Sequence, residues 1–337
     1  MDKQTLKSGG SLTANQWAII CRFPAPRLVL STSAFNGGYM LADAVFNQRL
    51  DIFVDCEKEL PGGSMEAYLA LKAGENRLDF QKSTGLLTCA HMNCRGFSAM
   101  EYNNILVEVV ATAGVDSNAA RAGDPAGYYE DGEGYQPVGG TINIIALTNS
   151  CLPQGTLAKA LITITEAKTA ALQELAVISP ATLNWATGTG TDGIIIGCDP
   201  AAALVLTDAG TQSKLGELLC TAVKTAVKQA LANEAAIEPA REGRPGKRLR
   251  KLGIAKSSEL NLQLTSPKAA ILLAMCQSIL QEYSWGLLSK DDLANFIVLL
   301  EEPSMQPMGA SLSRVLRKRV AETCLTEILN QYSGGVQ

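Results

Sequence analysis

Between Trp17 and Thr207 the chain carries seven short, β-branched apolar runs: WAIICRF, RLVLSTS, LDIFVDC, NNILVEVVATAG, TINIIALT, DGIIIGC and ALVLT. Each has the length of a buried strand rather than of a helix. Among them lie SMEAYLALKAG, LPQGTLAKALITITEAKTAALQEL and TQSKLGELLCTAVKTAVKQALANEA, which repeat at the helical period. In the last, Leu215, Leu218, Leu219, Val223, Val227 and Leu231 share one face, and Lys214, Lys224 and Lys228 are spread around the rest. Strands interleaved with amphipathic helices predict an α/β fold, or its α+β variant: a layered sheet core covered by helices. No internal repeat is visible.

The pattern changes near residue 236. EPAREGRPGKRLRKLG is rich in Arg, Lys, Gly and Pro, and reads as a basic linker or exposed arm. Three segments are expected: an α/β domain over 1–235, the basic arm over 236–258, and a helical C-terminal extension over 259–337. Ser266-Pro267 suits a helix start, and Ser289 with Asp292 resembles a capping box before LANFIVLLEE. Helices of this kind offer a surface for a homo-oligomer or a protein partner.

Charge and composition narrow the chemistry. The formal net charge of −4 on 337 residues argues against a nucleic-acid binder, which carries a basic excess. No apolar run approaches the ~18 residues of a membrane span, and the first residues lack a signal-peptide core. A cytoplasmic protein is expected. Nine cysteines without a C-x-x-C pair, and a single histidine, His91, within CAHMNC, predict reduced thiols and a packed histidine rather than a metal site.

Four stretches are richer in small and polar residues than packing requires: STSAFNGGY (31–39), TAGVDSNAARAGDP (112–125), GGTIN (139–143) and ATGTGTDG (186–193). Each adjoins an apolar strand, where binding residues collect. They offer Asn36, then Asn118, Arg121 and Asp124, then Thr141 and Asn143, and finally Gly188, Thr189, Gly190, Thr191 and Asp192. Asn118, Arg121 and Asp124 are three apart, so a helical turn from Ser117 would put them on one face. GTGTDG matches the dinucleotide fingerprint in letters, but IIIG follows it where a helix is required. The pairing of glycines with Thr141 presents either a tight turn or a hydroxyl offered to substrate. Glu166 and Lys168, in TEAKTAAL, are two apart on a helix among small or apolar residues, so at least one of them is expected to enter a cleft.

In that order, STSAFNGGY, TAGVDSNAARAGDP, GGTINIIALTNSCLP, TEAKTAALQEL, ATGTGTDG and GTQSKLGELLCTAV resemble the adenosylcobinamide amidohydrolase family of corrinoid salvage, over about Arg27 to Ala235. The resemblance implies hydrolysis of the amide joining the aminopropanol arm to the corrin ring, giving adenosylcobyric acid and 1-aminopropan-2-ol. The partner is then a small-molecule corrinoid. No cofactor is implied, since cobalt belongs to the substrate. The chain lacks the D-x-H-x-x-G signature of corrinoid carriers.

GGTINIIALTN is also similar to self-processing Thr/Ser enzymes, which would suggest paired sheets between helices and Thr141 as nucleophile. Thr148 stands seven residues on, but Asn149 replaces the aspartate usual after it. The base would be the Thr141 amine, freed by cleavage, or, without processing, Lys168 or a carboxylate activating the hydroxyl or a water. Asn118 and the Gly188–Thr191 loop would supply oxyanion donors, with Asp192 or Glu166 orienting the reacting groups. A non-catalytic corrinoid-binding protein and a hydrolase of another amide are the alternatives.

Overall fold

The β-branched runs pair into one sheet in the computed structural model, which describes residues 2–52, 54, 57–115, 118–127, 129, 141–252, 267–305, 309–310, 312–314 and 316–317, the first two residues of 267–305 in backbone only. The chain divides into two compact units, Met1–Pro239 and Ala240–Gln337. In the first unit the strands are β1 (Asp2–Thr5), β2 (Ser11–Ala14), β3 (Ala18–Ser31) and β4 (Gly38–Arg49). Helix α1 (Met65–Glu75) leads to β5 (Ser83–Thr88), β6 (Gly96–Tyr102), β7 (Ile105–Ala113) and the two-residue β8 (Ala119–Ala120). Then come β9 (Ile142–Thr148), α2 (Gln154–Glu174), β10 (Gly188–Thr189), β11 (Gly193–Cys198) and α3 (Lys214–Ala235).

Nine strands form the main sheet, with β3 beside β11, β11 parallel to β9, and β7 and β6 beyond; β4 and β5 extend it from β3. The sheet curls. Two strands separate β9 from β4, yet the Asn143 side-chain amide of β9 donates to Asn47 Oδ1 of β4 at 2.7 Å and to the Leu87 carbonyl of β5 at 2.9 Å. The main sheet is a curled sheet covered by helices, and β8 with β10 forms a further two-stranded sheet. Its concave side holds Val29, Val45, Leu86, Met92, Val110, Ile145 and Ile195. On the convex side, alternate residues of β7, β9 and β11 pack under α2 and α3, as the two-residue strand period requires. Over β3 and β4 the cover is α1, whose Leu69 and Ala73 meet Ile20 and Phe46.

The helices follow the sequence pattern closely. The six apolar positions of α3 are buried, and Lys224 and Lys228 both pair with Glu174 at the end of α2. Gly96 lets β6 approach α3, since a Cβ there would stand 1.9 Å from the Ala226 carbonyl. Two expected strands differ. Of LDIFVDC, the described residues 50–52 and 54 fall after β4 has ended at Arg49, and Asp51 accepts hydrogen bonds from Tyr68 Oη and Lys72 Nζ on α1, while 53, 55 and 56 lie outside the described residues. In ALVLT only Val205 makes an isolated bridge, to Cys151. Strand β4 was hidden because its first half is largely solvated.

His91 is exposed rather than packed, with Nδ1 2.8 Å from Glu234 Oε1. The described cysteines are free thiols. Among the described residues no group of three His, Cys, Asp or Glu side chains is arranged to hold a metal, and no helix is long and apolar enough to cross a membrane.

In the second unit α4 (Pro239–Glu242), which begins one residue before it, is followed by α5 (Pro245–Lys251), α6 (Pro267–Ser284) and α7 (Lys290–Leu300). The basic stretch is a helix here, because its two leucines have a core to enter. Leu249 and Leu252 pack with Leu273, Cys276, Phe296 and Leu312. Lys251 pairs with Glu242 at 2.9 Å; burial depresses the Lys251 pKa despite that partner. The part of the expected arm over 253–258 lies outside the described residues, as do Ser266 and residues 318–337. The Ser289–Asp292 capping box is present.

Candidate active site

Strands β9 and β11 run parallel with Gly193 opposite Asn143, so the residues just before each strand meet at one end of the sheet. From β11 come Thr191 and Asp192, and from β9 Thr141 and Ile142. The Asp192 carboxylate gathers four donors. Oδ1 accepts the Ile142 N–H at 3.1 Å and the Thr189 hydroxyl at 2.5 Å. Oδ2 accepts the Thr189 N–H at 3.0 Å and the ammonium of Lys168 from α2. The Lys168 and Asp192 side chains are 7% and 12% exposed, a pairing whose compensation matters because an isolated charge there would be costly.

Gly188 makes room for this pair. A Cβ at that position would stand 2.2 Å from Asp192 Oδ2 and 2.6 Å from Lys168 Nζ. The loop is held on both flanks: Gly188 and Thr189 pair with Ala120 and Ala119, and Thr169, beside Lys168, donates to the Thr187 carbonyl at 2.9 Å. Thr141 is buried, and its hydroxyl donates to the Thr191 carbonyl. Among the described residues neither Lys168 nor Asp192 bonds that hydroxyl. The connection runs through the following peptide, by way of the Ile142 N–H. Gly139 and Gly140, which precede Thr141, lie outside the described residues.

Of the pair Glu166 and Lys168, only Lys168 enters the cluster. Residues two apart on a helix diverge by about 200°, and Glu166 is exposed, with its charge acting on Cys220 of α3. The helical turn expected from Ser117 is absent over its described part: Asn118 lies in a turn, Ala119–Ala120 are strand, and 116 and 117 lie outside the described residues. Asp124 is a clamp. It accepts from the Arg121 N–H at 2.7 Å, Ser179 Oγ at 2.6 Å and Thr182 Oγ1 at 3.0 Å. Burial pushes its carboxyl up, but the Ser179, Arg121 and Thr182 hydrogen bonds and the Arg121 charge outweigh it and hold the pKa below the ordinary value. The Arg121 guanidinium donates to the Trp185 carbonyl at 3.0 Å.

Asn36 spends its amide on the Phe80 and Ser83 carbonyls, at 2.6 and 2.8 Å. Asn143 is buried inside the curl, so both asparagines serve the scaffold in this arrangement. Gly190 is exposed with open space around it, whereas the Thr189 and Thr191 N–H groups turn inward, to Asp192 and to Thr189 Oγ1. Thr148 and Asn149 belong to the far end of β9, where they bond Leu106 and Asn104; seven residues of strand are about 23 Å. Asn47 and Thr112, joined at 2.8 Å and linked to Asn143, were missed in the sequence. They lie on separate strands with no local signature.

The family model for adenosylcobinamide amidohydrolase matches residues 3–239, and so spans the whole described site. The chain belongs to the adenosylcobinamide amidohydrolase family. An uncharacterized protein of Methanocaldococcus jannaschii is 38% identical to this family member over 161 residues, 44% of the chain. The chain spans 62% of that relative's length. Two solved structures are similar at 12% identity. One is a protein of Pyrococcus horikoshii OT3, with TM-score 0.33 over 69% of this chain and 82% of the other. The second is the L-aminopeptidase D-Ala-esterase/amidase of Ochrobactrum anthropi, with TM-score 0.34 over 72% of this amidohydrolase-family chain and 86% of that one. Likeness at that level carries no argument about mechanism.

Proposed function

We propose that this chain hydrolyses the amide joining the aminopropanol arm to the corrin ring of adenosylcobinamide, releasing adenosylcobyric acid and 1-aminopropan-2-ol. The observation that carries the reading is the family match over residues 3–239. The Thr141–Asp192–Lys168 cluster lies within that span. Cobalt travels in the corrinoid as part of the substrate, and the reaction needs no cofactor.

In this mechanism Thr141 Oγ attacks the amide carbonyl. Its proton passes to a base and then to the departing nitrogen, and the C–N bond breaks to leave an ester on Thr141. Water then adds, the ester C–O bond breaks, and the acid leaves with the hydroxyl restored. The Thr141 hydroxyl is aimed at a backbone carbonyl, and among the described residues no side-chain base bonds it. That supports the version in which cleavage before Thr141 frees its α-amine for the task, while Lys168 neutralises Asp192. Asn118, whose side chain makes no hydrogen bond among the described residues, and the N–H of the exposed residue Gly190 are the donors proposed for the oxyanion.

Incubation of purified protein with adenosylcobinamide, followed by mass spectrometry for both products, tests the reading, with Thr141→Ala alongside. Release by wild type alone supports reaction and nucleophile together. Release by both proteins keeps the reaction and removes Thr141 as nucleophile. Saturable binding without release favours a corrinoid-binding protein. Intact-mass analysis for fragments 1–140 and 141–337 reports separately on cleavage.

A further inference from the structure

Thr189 Oγ1 stands where two tethers to the start of β9 meet. It donates to Asp192 Oδ1 at 2.5 Å, and that same oxygen accepts the Ile142 N–H at 3.1 Å. It also accepts the Thr191 N–H at 3.4 Å, and the Thr191 carbonyl in turn accepts the Thr141 hydroxyl. One tether holds the peptide that follows the proposed nucleophile, and the other holds the nucleophile's own hydroxyl. Lys168 does not duplicate this function, because it engages Oδ2, the other oxygen of Asp192.

We infer that Thr189 is a positioning residue, whose hydroxyl sets the orientation of Thr141 through Asp192 and Thr191 without touching substrate. This rests on the reading of Thr141 as nucleophile. Its position is itself constrained. Thr189 pairs in β10 with Ala119 of β8, and its N–H also holds Asp192, so the hydroxyl is delivered from a backbone fixed on both sides. The sequence suggested the GTGTD loop as a substrate-binding surface; at Thr189 both side-chain and backbone donors are turned to the protein instead.

Thr189→Val keeps the shape and the β-branch and deletes only the hydroxyl. It is expected to lower kcat about 10- to 100-fold, the scale of a small misplacement of a reacting group, with KM unchanged. Thr189→Ser should restore kcat to within a few-fold. Hydrogen exchange provides a readout that needs no substrate: the Ile142 amide should exchange faster in Thr189→Val than in wild type or Thr189→Ser, with the Ala119–Ala120 amides unaltered. A raised KM at unchanged kcat would make Thr189 a substrate contact and overturn the inference. So would equal exchange at Ile142 in all three proteins, whether or not adenosylcobinamide is the substrate. Absence of turnover by wild type would count against the proposed reaction alone. Should Thr189→Val not fold, Thr189→Ala carries the same comparison.

Discussion

Lys168 and Asp192 form an ion pair between α2 and the start of β11, with both side chains almost wholly removed from solvent. The same carboxylate holds the Ile142 N–H at 3.1 Å, so the pair joins the helix layer to the place where β9 begins. Removing one partner from a buried pair leaves a charge that nothing compensates, at about 3–5 kcal/mol. Lys168→Met is therefore expected to lower the stability of the first unit by that order. The double variant Lys168→Met/Asp192→Asn should recover a large part of it, because neither buried charge remains and the amide oxygen can still accept from Ile142 and Thr189. Denaturant midpoints of the single and double variants check this, and equal losses in both would contradict it.

Gly188→Ala tests how tightly the pair is seated. The added methyl would meet both Asp192 and Lys168 within 3 Å, and both side chains are largely buried and paired with each other. A loss of about 1–3 kcal/mol is expected, the usual cost of overpacking. Product release from adenosylcobinamide should fall as well. Gly190→Ala serves as the control, since a Cβ there meets nothing within 4 Å; thermal melts of the two variants should separate clearly.

Asp124 gives a pH signature. Its folded pKa lies below the ordinary value of 3.8, so the ionised carboxylate favours the folded state. That contribution is complete above the unfolded pKa and is lost as pH falls through the folded one. Asp124→Asn should therefore be less stable than wild type at neutral pH, and the gap should close only as pH falls from the ordinary carboxyl value through the lower folded pKa. Unfolding midpoints measured across that range decide it. A gap constant with pH would remove the charge from the account.

The concave side of the sheet contains a carboxylate that the sequence pattern conceals. Glu108, within the apolar β7, accepts hydrogen bonds from the Lys7 and Ser8 N–H groups, at 3.1 and 2.8 Å, and from the Ser8 hydroxyl at 2.6 Å. Burial, and then the Glu108 charge, push the neighbouring Cys21 thiol up to about 12. Cys276 is pushed up to about 12 by burial as well. Both should resist alkylation in the native protein at about pH 8, where thiolate is scarce and access closed, and both should react after denaturation. Glu108→Ala is expected to cost about 1.5–3 kcal/mol and to open Cys21 to reagent, while leaving Cys276 protected. Peptide mapping after labelling distinguishes the two sites.

Periodicity alone located α1, α2, α3 and the central strands, because each buries a continuous apolar stripe or face that leaves a local trace. The capping box at Ser289 and Asp292 was legible for the same reason: its hydrogen bonds lie within four residues. The small polar loops before β9 and β11 meet at one end of the sheet, and of the crowded pair Glu166 and Lys168 it is Lys168 that joins them there. Strand β4 was not legible, since half of it faces water and its pairing is decided by strands elsewhere. Nor was the helix at Pro245–Lys251, where Leu249 and Leu252 look like two residues in a basic stretch until α6 supplies their partners.

Which polar residues work together was decided only in three dimensions. Asp192 meets Lys168 across 24 residues, Thr141 meets Thr191 across 50, and Glu108 meets Ser8 across 100. Asn36 and Asp124 carry the same side-chain chemistry as a binding residue, yet their hydrogen bonds are consumed by neighbouring loops. The sequence by itself determined α1, α2, α3 and the central strands, because hydrophobic burial acts on repeating local patterns. The partners of each polar group required the tertiary structure, because a hydrogen bond depends on a few tenths of an ångström between residues that the chain alone does not bring together.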